Sequence, residues 1–183
     1  MSYEITFYFL RHGETKFNEQ GLIQGHLDVP LNTTGHDQAA RAAKTLKNKP
    51  IAQIVSSPLS RAKQTPEIVA SHHDVNIIFD DGLMECHLGD QQGEPDGDWL
   101  DDYWAGFFDP ANGETFHQFS ERAWNAMQRA ISYGPNTLIV AHKGLMYAAQ
   151  EYVTFEPIIS PIPNATPVLI HPNNGVWNLT LLK

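Results

Sequence analysis

The chain holds a single cysteine, Cys86, which excludes an internal disulfide and fits a reducing compartment. Long apolar runs are missing too. None approaches the ~18 residues of a membrane span, and no basic stretch followed by an apolar segment marks a signal peptide. A soluble, cytoplasmic protein is expected. Positive charge is scarce: 12 Lys and Arg stand against 21 Asp and Glu, for a net charge of −9 over 183 residues. That balance argues against a general nucleic-acid or anionic-membrane surface. Internal repeats and low-complexity tracts are absent. An apolar fraction of 42% with 18% charged residues excludes a disordered chain and points to one globular domain over residues 1–183.

What is present alternates between two periods. Residues 4–10 read as a buried strand, 51–56 as a second, 75–79 as a third and 138–141 as a fourth. Between them lie helical patterns. One is capped by Thr33 or Thr34 and runs to about Asn48, with Ala39, Ala40, Ala43 and Leu46 on one face. Ser57-Pro58 opens the next, because Pro suits a first helical turn, and Pro66 should kink it. A third pattern covers 99–107. Thr115 caps a fourth, from about Phe116 to Tyr133, and a fifth covers 145–152. The stretch from Arg11 to Pro30 reads as a long loop, as does 80–97, and the Pro-rich segment 157–167 as irregular. Residues 168–170 and 176–182 should pair as a hairpin around Pro172–Gly175. The expected class is α/β, a three-layer α/β/α arrangement around a mixed, mostly parallel sheet.

Ligands of such sheets sit beyond the carboxyl ends of the strands, and there the scarce cations gather. Leu10 is followed by Arg11-His12, Ser56 by the turn to Arg61, and Ala141 by His142-Lys143. Lys16 and Lys63 lie beside the same motifs. A positive pocket on an acidic molecule is a trap for a small anion.

Leu10-Arg11-His12-Gly13-Glu14-Thr15, then Asn18, Gln24-Gly25, Asp28 and Pro30-Leu31, resembles the signature of the histidine phosphatase superfamily. The branch it resembles is the phosphoglycerate mutase-like one rather than that of the histidine acid phosphatases. The likeness continues through Ser56-Ser57-Pro58-Leu59-Ser60-Arg61-Ala62, Leu83-Met84-Glu85, Asn112-Gly113-Glu114-Thr115 and Val140-Ala141-His142. It implies that His12 is a nucleophile forming a phosphohistidine, with its other ring nitrogen donating to a backbone carbonyl. Arg11 and Arg61 would supply forked donors to phosphoryl oxygens, His142 would bond the transferring group as a cation once loaded, and Asn18 would add a neutral donor. Glu85 would be the general acid and then the base. Thr15, Gln24, Gly25 and Lys143 would complete the phosphate and substrate site.

Two departures stand out. Lys143 occupies a place where the family often has Gly, and Gln92 one where it often has Glu. His72-His73, His87, His117 and His171 show no usual zinc spacing, so no metal is expected. No cofactor is expected either, unless the chain is a mutase needing 2,3-bisphosphoglycerate. The resemblance implies a small cap over about 82–115, in which Trp99, Tyr103, Trp104, Phe107 and Phe108 pack and Asp96, Asp98, Asp101 and Asp102 form a solvated face. The implied activity is metal-independent hydrolysis of a small phosphorylated metabolite. A phosphoglycerate mutase and a catalytically silent phospho-ligand binding protein are the alternatives. No nucleic-acid or membrane partner is expected, and the chain is a monomer or a homodimer.

Overall fold

The computed structural model describes residues 4–157 and 161–183. Its described residues place β1 (Phe7–Arg11), β2 (Gln53–Ser56), β3 (Ile77–Phe79), β4 (Thr137–Ala141), β5 (Thr154–Glu156), β6 (Pro167–Asn173) and β7 (Val176–Leu181) in one sheet, ordered β3-β2-β4-β1-β6-β7-β5. The first four in that order are parallel. β6 runs antiparallel to β1 and β7, and β5 parallel to β7.

The unbroken apolar run of β1 follows from burial on both faces. Phe7 and Phe9 join a core cluster with Ile139 and Ala141 of β4 and with α5 (Phe116–Ile131) and α6 (Lys143–Gln150). Tyr8 and Leu10 join a second cluster with Leu138 and Val140, against α2 (Thr33–Leu46) and α3 (Ser60–Ala70). Two further helices, α1 (Lys16–Gln20) and α4 (Trp99–Trp104), lie in the connecting segments. The three-layer α/β architecture expected from the alternation is present.

Several local expectations are corrected. β1 begins at Phe7 and includes Arg11, because its ladder with β4 extends to the pair Arg11 and Ala141. β2 and β3 are each two residues shorter at their starts than expected. The loop after β1 contains α1, closed by a capping box of Thr15 and Asn18 and by Gly21 at φ 66°. Asn32 caps α2, its side chain accepting from the Gly35 N–H at 2.7 Å, so neither Thr33 nor Thr34 does.

α3 starts at Ser60 rather than at Ser57-Pro58, and Asp28 caps it from the preceding loop by accepting from Ser60 N at 2.7 Å and Ser60 Oγ at 2.8 Å. α3 continues through Pro66, which leaves the Ala62 carbonyl without its helical donor. The Ser56 hydroxyl approaches that carbonyl at 3.2 Å.

The 80–97 loop includes 3-10 turns at Asp81–Leu83 and Gly89–Gln91, and α4 stops at Trp104. Thr115 caps α5 as expected, in a capping box with Gln118, but α5 ends at Ile131. α6 starts two residues earlier than expected, directly after His142. β5 is an unanticipated strand, assembled by pairing with β7. Of the Pro-rich segment, residues 158–160 lie outside the described residues, while Pro167 already belongs to β6. The hairpin of β6 and β7 forms, turning at Asn174 and Gly175 with φ 50° and 79°.

Candidate active site

β2, β4 and β1 are adjacent and parallel, and their hydrogen-bond ladder continues past the strand ends. His12 N–H donates to the Ala141 carbonyl at 3.0 Å, and Ser57 N–H to the Val140 carbonyl at 3.0 Å. The residues that follow the three strands are therefore held side by side by backbone register. The rings of His12 and His142 lie with centroids 5.2 Å apart.

His12 Nδ1 donates to the Gly13 carbonyl at 2.7 Å. A carbonyl only accepts, so the proton is on Nδ1 and Nε2 carries the lone pair. Burial, then the charges of Arg61 and Arg11, holds the His12 pKa well below 6.5. The ring is thus unprotonated at neutral pH, as a nucleophile must be. His142 caps α6, and its Nε2 lies 2.8 Å from the Ser57 hydroxyl. Burial and the neighbouring Arg61, His12 and Arg11 likewise hold it well below 6.5. A bound phosphoryl dianion would reverse the sign of that local field and favour the imidazolium.

Arg61 is fully buried, a costly place for a cation. Its guanidinium donates to the carbonyls of Leu27 (2.9 Å) and Gly25 (2.7 Å), while Nε has no partner among the described residues. Burial lowers its pKa to about 10, opposed by Glu85 and Asp28, so it stays charged at neutral pH. Arg11 donates to the Ile162 carbonyl at 3.0 Å, and its Nε too lacks a partner among the described residues.

These groups open on a cavity of about 210 Å³ lined by Arg11, His12, Asn18, Gln24, Gly25, Arg61, Glu85 and Lys143, with apolar walls that include Leu22, Leu100 and Trp104. Asn18 Oδ1 accepts from Thr15 N (3.2 Å), and Gln24 Oε1 from the Thr15 hydroxyl (2.9 Å). With its oxygen so occupied, each amide has its NH2 left to offer an anion. Thr15 is a buried helix cap behind the cavity lining, where it orients Asn18 and Gln24. His142 sits behind the lining, beside His12.

Glu85 is fixed by two backbone donors, Cys86 N–H to Oε1 at 3.1 Å and Gly144 N–H to Oε2 at 3.2 Å. A Cβ on Gly144 would collide with Glu85 Oε1, so glycine in the first turn of α6 makes the room this carboxylate occupies. Lys143 lines the cavity, with its ammonium 5.8 Å from the Tyr147 ring centre.

Gln92, the second departure, accepts through Oε1 from His26 N at 2.6 Å, a role that a neutral amide oxygen can fill. Within the expected cap, Asp96 lines the cavity while Asp98, Asp101 and Asp102 are exposed and outside the lining. Trp104 stacks on Tyr147 at 4.7 Å and packs edge-on against Tyr103 and Phe116. Phe107, by contrast, is 85% exposed.

Three residues at this site had no role assigned from sequence: Ser57, Gly144 and Arg122. Ser57 stood inside a quoted motif. Gly144 follows the unusual Lys143, and the only signal for Arg122 is its place eight residues after Glu114. Among the described residues no group of three or more His, Cys, Asp or Glu is placed to hold a metal ion, and no helix is long and apolar enough to cross a membrane.

Comparison with known proteins agrees with this geometry. The profile of the histidine phosphatase superfamily (branch 1) matches residues 7–183. A protein of Escherichia coli named as a "probable phosphoglycerate mutase" is 34% identical over 146 residues, covering 74% of this chain and 68% of its own. Among solved structures, a mycobacterial glucosyl-3-phosphoglycerate phosphatase in complex with VO3 superposes with a TM-score of 0.83 at 25% identity, over 97% of this chain and 98% of the other. The α-ribazole phosphatase of Shigella flexneri superposes with a TM-score of 0.80 at 26% identity, over 97% and 96% of the two chains.

Proposed function

Because this chain belongs to branch 1 of the histidine phosphatase superfamily, we propose that it hydrolyses a small phosphomonoester through a phosphohistidine on His12. The observation that carries the reading is an unprotonated, tautomer-fixed imidazole beside two guanidinium groups and a second imidazole, with a carboxylate in the same cavity.

Phosphoryl transfer is governed by positioning and by charge stabilisation at the equatorial oxygens. Arg11 and Arg61 place two cations at the cavity, and Asn18 and Gln24 add neutral donors. In the first step His12 Nε2 forms a bond to phosphorus as the bond to the leaving oxygen breaks, and Glu85 passes its proton to that oxygen. In the second step Glu85 takes a proton from water, the water oxygen bonds phosphorus, and the phosphohistidine bond breaks to release inorganic phosphate and restore His12. His142 donates to the phosphoryl group through both steps. The chain supplies the neutralising cations itself, which supports a metal-independent reaction with no added cofactor. A chain with one cysteine, Cys86, and so no internal disulfide is compatible with a cytoplasmic setting.

A phosphoglycerate mutase is the second reading, favoured by the 34% identity to the Escherichia coli protein. Asp96 in the cavity wall opposes it, since a bisphosphorylated intermediate would meet that carboxylate. The test is phosphate release from a panel of phosphomonoesters, alongside isomerisation of 3- to 2-phosphoglycerate with and without 2,3-bisphosphoglycerate. Radiolabelled phosphate should be trapped on the wild-type chain and not on His12→Ala. Isomerisation faster than phosphate release would favour the mutase, and absence of trapping and of both activities would leave a binding protein.

A further inference from the structure

The guanidinium of Arg122, on α5, uses all five of its N–H donors. Nε bonds Glu114 Oε1 at 2.8 Å, and NH2 bonds Glu114 Oε2 at 2.7 Å and the Glu85 carbonyl at 3.1 Å. NH1 bonds the carbonyls of Gly82 at 3.0 Å and Met84 at 3.1 Å. The chain that carries Glu85 is thus held at three carbonyls by one side group. Glu114 holds the other flank: its Oε2 accepts from His87 N at 2.9 Å, and its own N–H donates to the His87 carbonyl at 2.7 Å. His26 Nε2 completes the clamp by donating to the Glu85 carbonyl at 2.8 Å.

We infer that Arg122, oriented by Glu114, is a positioning residue that aims the Glu85 carboxyl at the leaving oxygen. The inference rests on Glu85 being the general acid of the reaction proposed above.

Comparison with Arg129 separates this role from ordinary bracing. Arg129, two turns further along α5, forks onto Asp80 at 2.9 and 3.0 Å. In that pair Asp80 is 20% exposed but Arg129 is 57% exposed, and neither residue lines the cavity. A pair with so exposed an arginine contributes little to stability. The Arg122 and Glu114 side chains are only 26% and 22% exposed. Arg122 also satisfies the carbonyls of Gly82, Met84 and Glu85 while forking onto Glu114, which no lysine could do, because an ammonium has three donors and no planar fork.

A misaimed acid has a chemical signature. Proton donation matters most when the departing oxygen is strongly basic, as in an alkyl phosphate, and little for p-nitrophenyl phosphate. Turnover of both should be measured for wild type, Glu85→Gln, Arg122→Gln, Arg122→Lys, Glu114→Gln and Arg129→Gln, with the melting temperature of each. General acid catalysis contributes ~100-fold or more, and displacement of a catalytic group by an ångström costs a similar factor. Arg122→Gln and Arg122→Lys should therefore lose about 10- to 100-fold in kcat on the alkyl phosphate and less than about threefold on p-nitrophenyl phosphate, a pattern shared with Glu85→Gln. Arg129→Gln should leave the ratio of the two rates unchanged.

Equal losses on both substrates in the Arg122 variants, or wild-type ratios in them, would overturn the inference. If Arg122→Gln fails to fold, Arg122→Lys and Glu114→Gln, which keep hydrogen-bonding groups in place, decide it by the same ratio. Wild-type chain that hydrolyses neither ester would overturn the phosphatase reading itself. A Glu85→Gln variant with no leaving-group preference would remove the premise and the inference together.

Discussion

The Ser57 hydroxyl stands 2.8 Å from His142 Nε2, joining the turn after β2 to the cap of α6. Among the described residues it is the one hydrogen bond that orients the second imidazole, whose Nδ1 is buried without a partner among them. Ser57→Ala should lower kcat about three- to tenfold, the worth of one hydrogen bond of ~0.5–1.5 kcal/mol. KM should change little, because Arg11 and Arg61 still hold the phosphate. Steady-state kinetics on p-nitrophenyl phosphate checks this.

Arg61→Lys keeps the charge and loses the fork. The carbonyls of Gly25 and Leu27 would lose their donors, and a phosphoryl oxygen its planar partner. Hydrogen bonds to charged groups are each worth ~1.5–3 kcal/mol, so kcat/KM should fall about a hundredfold, with a lower melting temperature. Retention of most activity would show that charge alone suffices.

Gly144→Ala sets two effects against each other. Alanine favours a helix by up to about 1 kcal/mol over glycine, but its Cβ would enter the place of Glu85 Oε1 and press on the buried Phe119 ring at 3.1 Å. The protein should fold with nearly unchanged stability and lose at least about tenfold in turnover of alkyl phosphates. Thermal melts paired with the kinetics separate the two.

The buried imidazoles make stability depend on pH. His12 and His142 have folded pKa values well below their unfolded value of 6.5. Above pH 6.5 both are neutral in either state and their contribution is full. As pH falls below 6.5 the unfolded chain takes up protons that the folded chain refuses, so stability drops until the folded values are reached. Each site costs up to ~1.4 kcal/mol per pH unit in that window. Urea unfolding at pH 7.5 and 5.5 should show the loss, and His12→Asn should show less of it. Inorganic phosphate should restore part of it, because the bound anion favours a charged His142.

Residues at the ends of long buried strands were legible from sequence. His12, Arg61 and His142 follow runs whose burial is plain, and parallel register then sets them together. Arg122 was not legible, since an arginine on an amphipathic helix reads as solvated until the fold brings three carbonyls to it. α1 was missed because its five residues show no apolar period, yet the Thr15-to-Asn18 capping box was a readable local signal. β5 has three residues and exists through its partner β7, so nothing local announces it.

His12 and His142 directly follow adjoining strands of the sheet and Arg61 stands in the first turn of the helix after a third, whereas Leu22, Leu100 and Trp104 come from segments outside it. Evolution can thus exchange the outer walls, and with them the molecule admitted, while leaving the reaction itself untouched.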